Sequence, residues 1–327
     1  MKQRGFTIVE LMISLFVGAF ILAGVMFTYV AMKTTTKDTL EIGDLQESGR
    51  LAMDILRRDI ELAGFWGTFS QSPNEANVLA PALPSPDCSA GENNASFPVA
   101  SSSNFRFVYG EQTNGANVLG CISDSISNSD VIQLKGVAGN DSTGQSTGTN
   151  QYYFVVNPNS ISVISGTGAV VAIPPGSSLW AYNHHAYYIA NDSYTVNGRS
   201  LTVPTLMRKR LTAKGITTET IMEGVENIRF LYGMDFNGDN RVDTYKTVSQ
   251  MSASDWEQQS GVILTVQMFI LVRSMDIDRD MKSESRTYTL GGSGQNARDL
   301  TFNDQYRRML FVSTVRLDNG GNDRWQW

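Results

Sequence analysis

Two helical patterns follow one another at the start of the chain. Residues 6–30 are almost entirely apolar, and the roughly 24 residues from Phe6 to Tyr29 would form about 36 Å of helix, enough to cross a membrane. From residue 31 to 64 there is no proline, apolar residues recur at helical spacing, and charges can pair on the outer face. Gly64 is a natural helix stop. The pattern predicts one helix of about 58 residues, with a membrane-spanning part (6–30) and an amphipathic part (31–64).

The remaining residues, 65–327, read as a β-rich head. Two polar stretches, 70–104 and 139–150, are rich in small and turn-forming residues and predict loops. Asn197-Gly198 is a strong hairpin signal between strand-like runs, and Ser254–Gln258 indicates one short helical turn. The other runs predict strands at Phe105–Tyr109, Val131–Lys135, Tyr152–Val156, Ser160–Ser165, Tyr187–Ala190, Tyr194–Val196, Leu201–Val203, Val225–Tyr232, Val262–Arg273, Arg286–Leu290 and Arg308–Leu317. The expected fold class is α+β, with the long helix packed on an antiparallel β-sheet head.

Charge changes the picture in two ways. The chain carries 26 basic and 32 acidic residues, a net charge of −6, which argues against binding to nucleic acid. Lys2 and Arg4 precede the apolar run, so the positive-inside rule places the N-terminus in the cytoplasm and the head on the far side of the membrane. Glu10 is then an acid inside the membrane-spanning segment, where a carboxylate is costly unless it finds a partner.

The residues around Glu10 carry a recognisable motif. The stretch Gly5-Phe6-Thr7-Ile8-Val9-Glu10-Leu11 resembles the processing site of type IV prepilins. In that family a membrane peptidase cuts after the glycine and methylates the new N-terminal residue, which implies residues 1–5 as a leader and a mature chain that starts at Phe6. The cut would create an ammonium group four residues from Glu10, on the same helix face. A secretory signal peptide is one alternative, but Ala31-Met32-Lys33 is not a small-residue cleavage site and the helical pattern continues past it. A plain membrane anchor is the other, and it does not account for Glu10.

Resemblance to one pilin group extends beyond the leader. The chain is similar to PilW-type minor pilins over the stretches Leu45–Arg50, Gly64–Gly67, Tyr187–Ile189, Leu206–Arg210, Glu223–Glu226, Leu231–Asp235 and Tyr306–Arg308. The resemblance implies a structural protein, not an enzyme, that sits in the inner membrane and joins other minor pilins in a priming complex at the pilus tip. The implied partners are those minor pilins, the major pilin, the prepilin peptidase and the inner-membrane assembly platform. A J-type minor pseudopilin of type II secretion is the closest alternative, and a tip adhesin is another.

One loop has a metal-binding pattern. Asp235, Asn237, Asp239 and Asp243 stand at positions 1, 3, 5 and 9 of a calcium loop of the EF-hand kind, and the carbonyl of Arg241 stands at position 7. Two positions depart from the pattern, because Asn240 replaces the usual glycine and Lys246 stands where a bidentate glutamate is usual. The sequence predicts calcium here, and an Asx-rich surface turn is the alternative.

Few other residues carry candidate chemistry. Cys88 and Cys121 lie on the predicted periplasmic side, where a disulfide is expected, with two free thiols as the alternative. His184 and His185 are adjacent and point apart on a strand, so they make a poor metal pair and we expect a surface or half-buried position for them. Trp325 and Trp327 suggest either a docking tail or packing on the protein's own sheet.

Overall fold

The long N-terminal helix is present with nearly the expected bounds. The computed structural model describes residues 7–99, 104–196, 199–278 and 281–319, without the side chains of residues 196 and 199. Helix α1 covers Ile8–Leu62, 55 residues, and a residue in the left-handed region follows its end, Gly64 with φ of 75°. A second, one-turn helix, α2, covers Ala253–Trp256 and overlaps the helical turn predicted at Ser254–Gln258.

The chain divides into two compact units, Met1–Glu47 and Ser48–Trp327. In the described part of the first unit all residues belong to α1 or precede it. Its large apolar side chains are exposed to the surroundings, among them Phe16, Phe20 and Phe27. The second unit contains the last turns of α1 and all the strands, and it is the head of the molecule.

The head consists of fourteen strands in the described residues. They are β1 Val78–Leu79, β2 Val108–Gln112, β3 Asp130–Asp141, β4 Tyr152–Asn157, β5 Ser160–Ser165, β6 Ser178–Val196, β7 Arg199–Thr212, β8 Gly215–Glu223, β9 Val225–Asp235, β10 Thr244–Thr247, β11 Val262–Arg273, β12 Arg286–Leu290, β13 Arg298–Phe302 and β14 Arg308–Arg316.

These strands form three sheets. The largest has eight strands in the order β1-β5-β4-β6-β3-β2, with β7 beside β6 and β8 beside β7. The second has four, β10-β9-β11-β14, and the third is the hairpin β12-β13. All pairs are antiparallel except β1 with β5, where Val78 lies opposite Ile161 in a parallel pair. The α+β fold class is confirmed, with this one departure from an antiparallel head.

Two apolar clusters show where the head is packed. One is a cluster of buried residues that includes Cys88, Ile122, Val131 and Tyr188. The other lies where the β12-β13 hairpin covers the four-stranded sheet and includes Leu231, Phe269 and Leu271. The hairpin therefore covers one face of that sheet, because its residues Tyr288, Leu300 and Phe302 pack on this cluster.

Several predicted elements differ from the observed ones. The two runs before Asn197-Gly198 form a single strand, β6, which pairs with β7 up to Val196 opposite Arg199, while the two turn residues lie outside the described part of the chain. Strand β3 continues through residue 141 into the stretch predicted as a loop. The sequence did not predict β1, β8, β10 or β13 as strands.

Residues 70–99 connect elements as predicted, but much of this segment is not surface. Asn94, Ser96 and Phe97 are fully buried, since the segment folds back over one face of the eight-stranded sheet. The polar composition that predicted a loop reflects a buried hydrogen-bonded segment.

Candidate functional site: the N-terminal helix and the polar sites of the head

The start of α1 is built by a cap that uses Glu10. Thr7 precedes the helix, and its hydroxyl accepts the Glu10 amide at 3.3 Å. In return, Glu10 Oε2 accepts from the Thr7 amide and hydroxyl, both at 3.4 Å. This reciprocal pair is a capping box. Glu10 is exposed in this chain, so its carboxylate is held at the helix start by weak bonds and remains accessible to a partner.

Polar residues further along the apolar part of α1 satisfy themselves within the helix. The Ser14 hydroxyl donates to the Glu10 carbonyl at 2.6 Å, and the Thr28 hydroxyl donates to the Gly24 carbonyl at 2.8 Å. Such bonds hide a hydroxyl from an apolar environment. In the described residues α1 is the helix that is long and apolar enough to cross a membrane. Between residues 7 and 32 of this helix and its cap, Glu10 is the single acidic residue. Gly5 and Phe6, the predicted processing site, lie outside the described residues.

The predicted calcium loop forms the turn between β9 and β10. The two carboxylate oxygens of Asp235 accept the amides of Gly238 at 2.7 Å and Asn240 at 2.9 Å. Burial raises the pKa of Asp235, but these amides outweigh it and hold that pKa below its usual value. Asn240 takes the left-handed backbone with φ of 62°, a conformation that asparagine tolerates and that the usual glycine would adopt.

The other predicted ligands are bonded to the same turn. Asp243 Oδ2 accepts the Phe236 amide at 2.7 Å, and Asn237 Nδ2 donates to Asp243 Oδ1 at 3.2 Å. The Asp239 carboxylate accepts the amide of Arg241 at 2.8 Å. Within the described chain no group of three or more His, Cys, Asp or Glu side chains is placed to hold a metal. The bonds are those of an Asx-rich turn, and calcium stays a prediction.

Lys246, which stands where the bidentate glutamate is usual, is directed to a different partner. Its ammonium donates to Asp255 Oδ2 at 2.8 Å and lies 5.0 Å from the centre of the Phe236 ring. Burial raises the pKa of Asp255, but the bonds from Lys246 and Ser252 outweigh it and leave that pKa well below its usual value. Lys246 therefore forms an ion pair with α2 and does not supply a ligand oxygen to the loop.

The two cysteines form the expected disulfide. Cys88 and Cys121 are bridged, with their Cα atoms 4.9 Å apart. Cys88 is fully buried, and the bridge fixes residues 70–99 to the turn before β3. The prediction of a bridge rather than two free thiols is confirmed.

The expectation for the histidines is wrong, because both are buried. His184 is 1% exposed, with Nδ1 2.8 Å from Ser96 Oγ and Nε2 2.8 Å from the Gln133 amide nitrogen. Burial lowers the pKa of His184 well below its usual value, and nearby Lys135 adds to the shift. A neutral imidazole then donates to Ser96, whose hydroxyl donates to Asp87 Oδ1 at 2.6 Å. This chain of bonds holds residues 87–97 to the sheet.

His185 points to the opposite face and joins α1 to β6. Asp59 Oδ2 lies 2.5 Å from His185 Nδ1 and accepts the Tyr187 hydroxyl at 2.6 Å. Burial raises the pKa of Asp59, but the bonds from His185 and Tyr187 outweigh it and lower that pKa. The sequence indicated that His184 and His185 lie on opposite faces of the sheet, since adjacent residues of a strand point to opposite faces. It did not show which segment packs on each face.

Comparison with known proteins gives the class. Residues 1–26 match the family model described as prokaryotic N-terminal methylation motif, and residues 186–319 match the one described as type IV pilus-assembly protein W. Together with the long apolar helix and the β-rich head, these matches support a type IV pilin-like minor pilin, as the sequence resemblance indicated. The part of the head that is similar to pilus-assembly protein W is residues 186–319. No curated protein and no solved structure matches the chain.

Proposed function

We propose that this protein is a minor pilin that helps to initiate type IV pilus assembly in a priming complex at the pilus tip. The observation that carries the proposal is Glu10, an exposed carboxylate at the start of an exposed apolar helix, within the residues 1–26 that match the methylation motif. In a membrane this carboxylate needs a cation. The N-terminal amine of a processed neighbouring subunit is a cation that assembly would bring to it.

The proposal includes a location and partners. The helix anchors the protein in the inner membrane with the head in the periplasm, and a disulfide in the head is in keeping with an oxidising compartment. The partners are the other minor pilins, the major pilin, the prepilin peptidase and the assembly platform. The protein works by packing its α1 among theirs and has a structural rather than an enzymatic role.

Two substitutions of Glu10 separate its charge from its capping role. Glu10→Ala removes both, whereas Glu10→Gln removes the charge but keeps an amide that can cap the helix. If pairing with an amine drives assembly, both variants should be inserted and processed but should reduce the number of pili to near that of a deletion strain. Ser14→Ala, which removes a hydroxyl bonded only within the helix in the described chain, is the matched control and should leave pili normal.

The outcome of this comparison is decisive. Normal pili in Glu10→Ala would refute the role in initiation. Normal pili in Glu10→Gln together with few pili in Glu10→Ala would show that the Glu10 side chain acts only as a helix cap.

A further inference from the structure

Strand β14 is an open edge of the four-stranded sheet. It pairs with β11 over nine successive residues, from Arg308 opposite Arg273 to Arg316 opposite Thr265, without a register shift. No strand of the described chain pairs with its other side. An edge of this kind presents unpaired N–H and C=O groups at every second residue.

This edge lacks the features that usually protect one. The seven residues Met309–Val315 contain no charge, proline or glycine, and Val312 at their centre is 51% exposed. The other long edge, β8, carries Glu219 and Glu223 and has a register shift against β7. Strand β10, at the opposite edge of the same sheet, is short, and the Asn296 amide caps its Tyr245 carbonyl at 3.2 Å. Charges, bulges and short length block strand addition, so β14 stands out as unblocked.

Contacts within the head fix the direction of this edge. Phe311 lies beside Gly49 of α1, and Asn319, just after the strand, donates to the Glu61 carbonyl at 2.9 Å. Strand β14 therefore runs in the same direction as the head portion of α1. A second copy that paired antiparallel through the same edge would have its α1 reversed, which subunits inserted from one membrane cannot adopt.

We propose that the β14 edge takes up an extended, uncharged strand from the head of a neighbouring pilin-like subunit, by addition of that strand to the four-stranded sheet. The inference rests on the proposed function, which places such subunits side by side with their α1 helices in one direction. Main-chain hydrogen bonds would supply the affinity. The partner strand must be uncharged and rich in β-branched residues, because such cross-strand pairs stabilise a sheet and charges along an edge oppose strand addition.

Site-specific photo-cross-linking tests the proposal in cells that assemble pili. The full chain carries benzoylphenylalanine at Val312 or, as the matched control, at Thr220, an exposed residue in the edge strand β8. We expect an adduct from position 312 only, with mass spectrometry locating the link in an uncharged strand of a subunit that carries a prepilin processing site.

Each other result would overturn the proposal. A link to a second copy of the chain, or within the chain to residues 320–327, would assign the edge to that occupant. Equal labelling from positions 312 and 220, or no adduct from 312, would show that no strand is bound there.

A charge placed on the edge gives an independent readout. With the cross-linker moved to Thr314, which is exposed in the same strand, Val312→Lys should abolish the adduct, and Thr220→Lys should not. If Val312→Lys leaves the adduct unchanged, the edge is not the docking site. The proposed function is judged separately by Glu10→Ala, so pili that require Glu10 but form no adduct at β14 would refute this inference alone.

Discussion

Single residues explain parts of the sequence that the hydrophobic pattern left unexplained. Gly49 interrupts a strong helix, although glycine costs about 1 kcal/mol there relative to alanine. The reason is close packing, because a Cβ at this position would lie 2.1 Å from Phe311 Cε2. The glycine lets α1 and β14 approach each other.

Gly49→Ala should therefore destabilise the head. Overpacking at a well-packed site costs about 1–3 kcal/mol, more than the improved helix propensity returns. Gly43→Ala is the control, since a Cβ there meets nothing within 4 Å, and it should be neutral or stabilising by up to about 1 kcal/mol. Urea unfolding of the two variants measures the difference. Equal unfolding midpoints would contradict the packing explanation.

Lys135 is a second residue that the sequence did not single out. It is 1% exposed, its ammonium lies 3.4 Å from the Asn93 carbonyl oxygen and 4.3 Å from the centre of the Phe105 ring, and in the described chain no carboxylate forms an ion pair with it. Burial lowers the pKa of Lys135 well below its usual value; the charge of nearby Asp87 opposes this shift and that of Arg106 adds to it. An unpaired buried cation is costly.

Stability should therefore depend on pH through Lys135. The unfolded chain binds a proton at this lysine up to about pH 10.4, and the folded chain releases it at lower pH. Between about pH 7 and about pH 9 the unfolded chain therefore keeps a proton that the folded chain has released, unfolding takes up that proton, and the free energy of unfolding should rise with pH. Lys135→Met should flatten this rise without loss of stability near pH 7, while Lys214→Met, at an exposed lysine, should keep it. A wild-type profile that is flat or falls over this range would contradict the prediction.

At the scale of elements, strands with an apolar run were found and strands without one were missed. Ser160–Ser165, Val262–Arg273 and Arg286–Leu290 have the predicted bounds, because alternation or continuous apolar character marks buried strands. The edge strand β8 reads Gly-Ile-Thr-Thr-Glu-Thr-Ile-Met-Glu, and its exposed face needs no apolar residue. The four residues of β10 are too few for a period to appear.

The candidate site shows the same division. Glu10, the disulfide and the position of the acidic loop between strands followed from residue types and spacing. The buried clusters around His184 and Asp59 did not, because their partners come from segments that are distant in sequence, and only the folded chain shows which face residues 87–97 cover.

The loop between β9 and β10 gives the prediction at this scale. If Asp235, Asn237, Asp239 and Asp243 bind calcium, the protein should have a higher melting temperature in calcium than in chelator. The free energy of unfolding should rise by about 2.7 kcal/mol when free calcium is a hundredfold above its dissociation constant. Asp239→Ala should abolish the shift while leaving the fold intact, because this residue is exposed. Glu223→Ala removes an exposed acid elsewhere and should keep the shift. Magnesium should do less than calcium, since it requires a tighter octahedral shell. Equal melting temperatures in calcium and chelator would leave an ordinary Asx-rich turn.

At the scale of the whole molecule, the covalent change to consider is cleavage after Gly5, which would convert the chain into a mature pilin subunit. The apolar part of α1 is exposed along its length, so it needs lipid or neighbouring helices around it, and the same helix continues into the packed head. Removal of residues 1–5 would take away Lys2 and Arg4 and place an ammonium group next to Thr7 and Glu10. The capping box that Thr7 and Glu10 form in this chain would then gain a competing donor at its own helix start.

Processing should therefore yield a chain that begins at N-methylated Phe6. Intact-mass spectrometry of the protein extracted from membranes should show the loss of residues 1–5 and the gain of one methyl group, and Gly5→Ala or deletion of the prepilin peptidase should leave the full-length mass. Glu10→Gln should still be cut, because the amine that pairs with Glu10 exists only after cleavage, and this separates processing from assembly. A mass that retains the leader in piliated cells, or one that corresponds to a cut near Ala31, would contradict the assignment of this chain as a processed pilin subunit.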